Sequence, residues 1–286
     1  MFPSNASSES GREASALIEL ALREDLGDRG DITSEAILSQ TLCDAVLRSK
    51  DNGVLAGADV FEEVFTRVDA KTEVTFLRVD GDEIVYGDEV ARVRGHDTSI
   101  LKAERIALNF LGFLSGIASL TRQYVLAARS SGSAVVLDTR KTVPGYRALS
   151  KYAVRIGGGL NHRRGLYDMI LIKDNHIQRA GSITRAVESA RKRWRNEFNI
   201  EVECQNLAEV REAIRQKVDA ILLDNMECEQ IQQAVLLVAG RIKTEASGGM
   251  NLEKVTAVSA AGVDYVSIGA LTHSAPNFDF SLAVQR

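Results

Sequence analysis

Charged, polar or glycine residues stand at the end of each strand that we predict in the second half of the sequence. Asparagine, aspartate, serine and glycine at such places are ordinary helix caps and turns. Arginine, lysine and glutamate are poor caps, so their presence there indicates a binding site for an anionic ligand. In chain order the strand ends read Asp138-Thr139-Arg140-Lys141, Lys173-Asp174-Asn175-His176, Glu203, Asp224-Asn225, Ser247-Gly248-Gly249 and Gly269-Ala270.

Glu203 and Asp224 end two strands that are consecutive along the chain, and we expect the two carboxylates to face each other. Such a pair beside a phosphate site suits a Mg²⁺ ion that substrate phosphates also hold. It equally suits stabilisation of a cationic, oxocarbenium-like carbon, and an ion pair with nearby cations is the simpler alternative. Glu201 lies on the same strand face as Glu203 and is a support or a second candidate.

Glycine-rich ends follow the last two predicted strands and predict a phosphate site. Backbone N–H groups beside a helix N-terminus bind phosphate, and both Ser247-Gly248-Gly249 and Gly269-Ala270 provide them. His162 follows a run of three glycines and stands among polar and basic residues. We interpret it as a ligand contact, with a structural hydrogen bond as the alternative. His176 and His273 have the same two interpretations.

Positive charge is concentrated around the first two of these strand ends. The chain has a net charge of -4 and an isoelectric point of about 5.7, which argues against a dedicated nucleic-acid-binding protein. Residues 138–179 nevertheless hold nine lysines and arginines against three aspartates. Such a run is usually a solvated face, but these cations alternate with glycines and flank two apolar strands. We therefore interpret the segment as an anion pocket, and assign Arg147 and Lys151 to the plain surface.

The remaining features predict a cytoplasmic protein. The three cysteines are far apart, which does not suit a disulfide framework or a zinc site. The segment 1–13 is polar and lacks the apolar core of a signal peptide, so we expect a frayed tail. The longest uncharged run, 106–121, has 16 residues and is shorter than the roughly 18 of a membrane span. We expect a buried helix there, at a subunit contact.

Strands and helices alternate strictly from residue 134 onward. Such alternation predicts right-handed βαβ units and a parallel sheet, and the regular spacing favours a barrel over an open doubly wound sheet. No G-x-G-x-x-G motif follows the first strand, which argues against a dinucleotide-binding fold. The first third is mixed, with an amphipathic helix, strands in hairpins and then a long helix. The predicted strands of the second part are 134–139, 168–174, 199–204, 220–224, 242–247 and 265–270.

Six segments carry a resemblance to a known family. They are AERIALNFLGFLSGIASLT, LDTRKTVPGYRALSKYAVRIGGGLNHRRGLYDMILIKDNHI, IEVECQNLAE, ILLDNM, EASGGMNLEKV and GVDYVSIGALTHSAP. In this order they are similar to quinolinate phosphoribosyltransferase, from about Asp25 to the C-terminus. The resemblance implies an α/β protein with an incomplete parallel (β/α) barrel and an N-terminal α/β sandwich domain. It places the sandwich domain at 1–117, completed by about 275–286, and the catalytic barrel at 118–274.

The same resemblance implies an enzyme of de novo NAD biosynthesis. It transfers the phosphoribosyl group of phosphoribosyl pyrophosphate to quinolinate with decarboxylation, giving nicotinate mononucleotide, pyrophosphate and CO₂. The implied cofactor is Mg²⁺, held by Glu203 and Asp224, which with Lys141 are the implied catalytic residues. The implied homodimer shares its active sites, and Arg105 reaches the substrate from the partner subunit. The other implied contacts are Thr139, Arg140, His162, Arg163 and Lys173 for quinolinate, and Lys141, Lys173, Ser247, Gly248, Gly249, Gly269 and His273 for phosphoribosyl pyrophosphate.

The residue chemistry agrees with this resemblance, and three alternatives stay open. A pyridine dicarboxylate requires several arginines or lysines for recognition. A related protein of molybdenum-transport operons shares the barrel and the phosphate site, although the full set of quinolinate contacts favours the transferase. A barrel aldolase would use Lys173 as a Schiff-base lysine, which borohydride trapping would test. A phospho-ligand sensor on an inactive barrel would not need the paired acids Glu203 and Asp224.

Overall fold

The computed structural model describes residues 7–285, with side chains from residue 11 onward. Contacts divide these residues into two compact units. The barrel unit comprises residues 123–141 and 159–270, and the sandwich unit comprises residues 7–122, 142–158 and 271–285.

Helices and strands alternate along most of the described chain. The helices are α1 (Ser7–Leu26), α2 (Ile32–Ile37), α3 (Ala58–Val68), α4 (Asp97–Arg129), α5 (Arg147–Ile156), α6 (Asp174–Ala180), α7 (Ile183–Trp194), α8 (Leu207–Arg215), α9 (Cys228–Val238), α10 (Leu252–Ala260) and α11 (Ala270–His273). The strands are β1 (Leu42–Ser49), β2 (Gly53–Val54), β3 (Glu73–Phe76), β4 (Glu83–Ile84), β5 (Glu89–His96), β6 (Val135–Leu137), β7 (Ile170–Ile172), β8 (Ile200–Cys204), β9 (Ala220–Asp224), β10 (Lys243–Ser247), β11 (Tyr265–Ser267) and β12 (Phe280–Val284).

The barrel unit is built on a parallel sheet of six strands in the order β6-β11-β10-β9-β8-β7. Strands β7 to β11 are neighbours in chain order, and β6 joins the free side of β11. In the described part of the chain β6 and β7 do not pair with each other, and an isolated bridge joins Leu137 to Leu160 beyond β6. The sheet is therefore an incompletely closed parallel barrel. The predicted fold class is confirmed, and each predicted strand of this unit is present.

Side-chain caps start the helices of the barrel unit directly after the strand ends. Asn206 accepts hydrogen bonds from the N–H groups of Ala208 and Glu209 at the start of α8. Asn251 accepts one from the N–H of Lys254 at the start of α10. Because these caps satisfy N–H groups that have no partner inside the helix, each helix begins close to its strand. The carboxyl ends of the strands therefore stay together at one edge of the sheet.

The sandwich unit contains an antiparallel sheet of four strands in the order β12-β1-β5-β3. Strand β12, near the end of the chain, pairs with β1 and places Leu282 opposite Leu47. Helix α3 packs against β3, and its buried Phe61 contacts Phe76 edge-on with ring centroids 5.7 Å apart. Helix α3 was not predicted from the sequence, although its apolar positions 60, 61, 64 and 65 have the spacing of a buried helical face.

The uncharged run 106–121 lies within α4, and most of its apolar residues are buried. Gly112 and Gly116 meet the last segment of the chain closely. A Cβ atom at these positions would lie 2.7 Å from the carbonyl oxygen of Phe278 and 2.0 Å from that of Pro276. The small residues of the run thus permit close packing, and the predicted buried helix is confirmed. Within the described residues, no helix combines the length and apolarity that crossing a membrane requires.

Two sequence-based expectations are wrong in the sandwich unit. Helix α1 begins at Ser7, so the expected frayed tail does not hold for residues 7–13, whereas residues 1–6 lie outside the described part. Lys151 on α5 is 2% exposed rather than on the plain surface. It is spaced three residues from the buried Ala148 and Val154, which puts it on the buried face of α5.

Candidate active site

The polar strand ends of the barrel unit line one cavity of about 530 Å³. The cavity brings together every residue of this unit that the resemblance assigned to the site, except Gly269. The lining residues are Thr139, Arg140, Lys141, His162, Arg163, Leu171, Lys173, Glu203, Leu222, Asp224, Asn225, Glu245, Ser247, Gly248, Gly249 and Ser267.

Arg140, Arg163 and Lys173 bring positive charge to this cavity from three segments. The Nε atom of Arg140 is buried and has no hydrogen-bond partner among the described residues. Arg163 is buried as well, and burial followed by the charge of Arg140 lowers the pKa of its guanidinium group. The charge of Arg140 thus disfavours the charged form of the buried Arg163. A carboxylate that accepted hydrogen bonds from both groups would relieve this repulsion.

Asp138 fixes the loop that carries His162 and Arg163. Its side chain is fully buried directly after β6. One carboxylate oxygen accepts a hydrogen bond from the backbone N–H of His162 at 2.8 Å, and the other accepts one from Nδ2 of Asn161 at 2.7 Å. Buried hydrogen bonds to a charged group are strong, so Asp138 holds this loop against the end of the first barrel strand.

Glu203 and Asp224 line the cavity from the neighbouring strands β8 and β9. Nζ of Lys173 donates to Glu203 Oε2 at 2.8 Å, so this acid makes the ion pair that was the simpler sequence-based alternative. Nδ2 of Asn225 donates to Asp224 Oδ2 at 2.8 Å. Among the described residues, no hydrogen bond is made to the other oxygen of either carboxylate. Carboxylate oxygens are ligands that Mg²⁺ accepts together with phosphate oxygens, so these two residues fit the predicted ion.

The loop after β10 depends on glycine. Gly248 has a φ of +98°, and a Cβ atom there would lie 2.1 Å from Oδ1 of Asn225. Gly249 follows with a φ of +57°, and left-handed conformations of this kind favour glycine. Nζ of Lys254 donates to the Gly248 carbonyl at 2.9 Å and ties the loop to α10. The loop thus leads into a helix N-terminus, an arrangement that binds anions.

Three residues that the resemblance assigned to the site do not line this cavity. Gly269 belongs to the barrel unit and lies just beyond β11. Arg105 is exposed on α4, and His273 is exposed at the end of α11, and both belong to the sandwich unit. Nδ1 of His273 lies 2.6 Å from the hydroxyl of Ser274.

Two histidines that the sequence offered as ligand contacts have structural hydrogen bonds. Nδ1 of His176, at the start of α6, accepts a hydrogen bond from the backbone N–H of Lys173 at 2.9 Å. His176 therefore follows its structural interpretation. His162 lines the cavity, but its Nε2 lies 2.9 Å from Oε2 of Glu201.

Glu201 and Glu245 form a buried carboxyl pair beside His162. Burial raises the pKa of both carboxyl groups, and their mutual proximity raises that of Glu245 further. Glu201 was a candidate from the sequence, whereas Glu245 was not. The signal was available, because Glu245 precedes Ser247 by two residues and therefore shares its strand face.

Two family models match the chain. The model described as quinolinate phosphoribosyl transferase, N-terminal domain, matches residues 31–115. The model of the C-terminal domain of the same family matches residues 117–283. Together they cover most of the sequence.

Individual relatives agree with the family models. A probable nicotinate-nucleotide pyrophosphorylase (carboxylating) of Bacillus subtilis is 42% identical over 91% of this chain and 90% of its own length. The chloroplastic nicotinate-nucleotide pyrophosphorylase (carboxylating) of Arabidopsis thaliana is 41% identical over 94% of this chain and 82% of its own. The crystal structure of NadC from Streptococcus pyogenes superposes with a TM-score of 0.92 at 42% identity, covering 98% of this chain and 100% of its own. The nicotinate-nucleotide pyrophosphorylase of Francisella tularensis superposes with a TM-score of 0.93 at 36% identity over 100% of both chains. This chain therefore belongs to the quinolinate phosphoribosyl transferase family.

Proposed function

We propose that the protein transfers the phosphoribosyl group of phosphoribosyl pyrophosphate to quinolinate, with decarboxylation. The products are nicotinate mononucleotide, pyrophosphate and CO₂, and the reaction belongs to de novo NAD biosynthesis. Family membership and the names of the relatives support this activity. The observation that carries it is the joint lining of one cavity by the cations Arg140 and Arg163, the acids Glu203 and Asp224, and the loop 247–249.

The cationic part of the cavity suits a pyridine with two adjacent carboxylates. Arginine binds a carboxylate through parallel N–H groups, whereas lysine acts as a point charge. We assign Arg140, Arg163 and Lys173 to the dicarboxylate, with Thr139 and His162 in the surrounding wall. The buried Nε of Arg140, which lacks a partner among the described residues, supports this assignment.

The loop 247–249 suits the phosphate end of phosphoribosyl pyrophosphate. Its glycines leave the backbone accessible beside the N-terminus of α10. We assign this loop, with Gly269 and His273, to the ribose phosphate, and Lys141 to the region between this end and the dicarboxylate. Glu203 and Asp224 would hold Mg²⁺, which supplies charge neutralisation on the departing pyrophosphate.

The reaction needs a cationic ribose carbon to be stabilised and a carboxylate to be lost. The C1–O bond to pyrophosphate breaks with its electron pair on oxygen, and the pyridine nitrogen forms the new bond to C1. We assign to Glu203 and Asp224 the stabilisation of positive charge at this carbon. The pyridinium ring then accepts the electron pair of the carbon–carboxylate bond as CO₂ leaves, and a proton takes the vacated position on the ring.

We further propose a cytoplasmic homodimer with shared active sites. Arg105 belongs to the sandwich unit and is exposed on α4, so it is available to an adjacent subunit. In this arrangement Arg105 from one subunit contacts the quinolinate that is bound by the barrel of the other. We keep as a proposal the division into a sandwich domain of residues 1–117 with about 275–286 and a barrel of 118–274, whereas contacts group residues 118–122, 142–158 and 271–274 with the sandwich unit.

The test of the function is a product assay with the purified full-length protein. Quinolinate, phosphoribosyl pyrophosphate and Mg²⁺ are supplied, and nicotinate mononucleotide and CO₂ are quantified. We expect both products in equal amounts from the unaltered protein, and loss of at least about 100-fold in kcat/KM for Arg140→Ala, because a buried charged hydrogen bond to substrate is removed.

The matched control is Arg185→Ala, which removes an exposed arginine of α7 in the same unit. It should retain the kcat/KM of the unaltered protein. Absence of both products at micromolar enzyme, with the protein shown to be folded, contradicts the proposed function.

A further inference from the structure

A cluster of three ionisable groups lies at the wall of the candidate active site, and two of them, Glu201 and Glu245, have no role in the proposed reaction. His162, Glu201 and Glu245 come from the loop after β6 and α5 and from the strands β8 and β10. Their exposed fractions are 6%, 1% and 0%. One ligand atom from each group lies within 4.8 Å of those of the other two.

Both ring nitrogens of His162 are engaged inside the protein. Nδ1 accepts a hydrogen bond from the backbone N–H of Arg163 at 2.8 Å. Nδ1 must therefore carry a lone pair, and in the neutral ring the proton is on Nε2. Nε2–H then donates to Oε2 of Glu201 at 2.9 Å, while Oε2 of Glu245 lies 3.6 Å away. The hydrogen-bond pattern thus selects one tautomer of His162.

The same tautomer argues against a metal ion in this cluster. A histidine binds a metal through an unprotonated nitrogen, and its other N–H is donated to an acceptor. The atom of His162 that faces the carboxylates is Nε2, which carries the proton, and Nδ1 faces a donor instead. The spacing of the three groups suits a metal, but the direction of their hydrogen bonds does not.

We propose that Glu201, supported by Glu245, is a positioning residue for the dicarboxylate end of the site. By accepting Nε2–H it keeps the lone pair of His162 on Nδ1, and Nδ1 then holds the backbone N–H of Arg163. This inference rests on the proposed function, because it assigns Arg163 to the quinolinate carboxylates. Asp138 accepts a hydrogen bond from the backbone N–H of His162. The segment 162–163 is therefore held by Asp138 at its main chain and by Glu201 at the imidazole ring.

Position 201 needs an acceptor rather than a negative charge. Oε1 of Glu201 and both carboxyl oxygens of Glu245 are buried without a hydrogen-bond partner among the described residues. A glutamine at position 201 can accept Nε2–H with its oxygen and donate its NH₂ to Glu245. A leucine can do neither, and it leaves the Nε2–H of His162 buried and unsatisfied. The two substitutions therefore separate hydrogen-bond acceptance from side-chain volume.

The kinetic test compares Glu201→Leu with Glu201→Gln in the full-length enzyme. We expect Glu201→Leu to raise KM for quinolinate by about 10-fold or more, as the loss of one buried hydrogen bond at the binding residue implies. KM for phosphoribosyl pyrophosphate should change by less than about 2-fold, because Arg163 is assigned to the dicarboxylate, whereas the phosphate is assigned to the loop 247–249 after β10. Glu201→Gln should restore KM for quinolinate to within about 3-fold of the unaltered enzyme.

The matched control is Thr244→Val, in the neighbouring residue of Glu245 on β10. Thr244 is buried and its hydroxyl donates to Asp264 at 3.1 Å, but its side chain points to the opposite strand face. We expect a lower melting temperature with both KM values unchanged. If Glu201→Leu behaves in the same way, Glu201 is merely structural and the proposal is wrong.

The tautomer itself is tested without turnover, by ¹⁵N NMR of the histidine rings. The chain has four histidines, and loss of one signal set in His162→Gln assigns the resonances. We expect a protonated Nε2 and an unprotonated Nδ1 in the unaltered protein. The opposite tautomer, or tightly bound metal found by elemental analysis and lost in Glu245→Gln, overturns the proposal. An inactive unaltered enzyme that shows the expected tautomer refutes the proposed function but leaves the hydrogen-bond assignment standing.

Discussion

Carboxyl groups buried under an anion-binding cavity are costly when they are ionised. Glu245 is fully buried, and burial, together with the nearby Glu201, raises its pKa above the ordinary value of 4.5. The folded protein therefore keeps a proton on this pair at a pH where the unfolded chain has lost it. This makes Glu245 a source of instability that grows with pH, in contrast to a salt-bridged carboxylate.

Replacing Glu245 with glutamine should remove this pH dependence. The pKa of Glu245 is higher in the folded protein than in the unfolded chain. The loss of folding stability that Glu245 causes is therefore absent below its pKa in the unfolded chain, and it increases as the pH rises towards its pKa in the folded protein. We expect Glu245→Gln to match the unaltered protein in free energy of unfolding at about pH 4, just below the ordinary pKa of a glutamate. At about pH 8 it should exceed it by at least about 1.4 kcal/mol, the equivalent of one pKa unit.

Urea denaturation at the two pH values measures the difference. Glu188→Gln, on the exposed surface of α7, is the control and should follow the unaltered protein at both. Equal stability of Glu245→Gln and the unaltered protein at about pH 8 would mean that Glu245 is not protonated in the fold.

At the scale of the elements, the location of the site follows from strand polarity. In a parallel sheet all carboxyl ends meet at one edge, so the sequence alone was enough to place Arg140, Lys173, Glu203 and Asp224 together. The hydrogen bond between His162 and Glu201 could not be predicted, because it joins a strand to a loop. The conformation of a loop does not follow from a periodic sequence pattern. The burial of Lys151 and the site position of Glu245 could have been predicted from the sequence. Lys151 shares a helix face with the apolar Ala148 and Val154, and Glu245 shares a strand face with Ser247.

The two glycines of the loop after β10 differ in how closely their neighbours approach them. Gly248 and Gly249 both have positive φ, but only at Gly248 would a Cβ atom also meet a neighbour, Asn225, at 2.1 Å. Gly249→Ala adds backbone strain alone, on the order of 1 kcal/mol. Gly248→Ala adds a collision with the residue that holds Asp224, so the loop must move.

We expect Gly248→Ala to raise KM for phosphoribosyl pyrophosphate by about 10-fold or more, and Gly249→Ala by less than about 3-fold, with KM for quinolinate unchanged in both. The expectation follows from the cost of displacing a loop that binds phosphate through its backbone. Steady-state kinetics with each substrate varied in turn provides the measurement. Equal effects of the two substitutions would show that the contact with Asn225 does not shape the loop.

For the whole molecule, charge is distributed so that an acidic protein attracts anionic substrates to one place. The chain carries a net charge of -4, yet Arg140, Lys141, Arg163 and Lys173 line the same cavity. A focused positive potential of this kind raises the local concentration of anions. Glu203 and Asp224 in the same lining add negative charge. This negative charge would stabilise the cationic ribose carbon of the proposed reaction.

Arg105 provides the test of the proposed shared active site, since it belongs to the sandwich unit and not to the cavity lining. We expect Arg105→Ala and Arg140→Ala each to be nearly inactive as homodimers. In a mixed dimer, the barrel of the Arg105→Ala subunit is intact and receives Arg105 from the other subunit. One of the two active sites of the mixed dimer is therefore complete. Random exchange of equal amounts makes half of the dimers mixed, and about one quarter of the unaltered activity should return.

Native mass spectrometry of differently tagged subunits measures the exchange. Activity that stays at the level of the separate variants after complete exchange would show that Arg105 does not act across the subunit boundary.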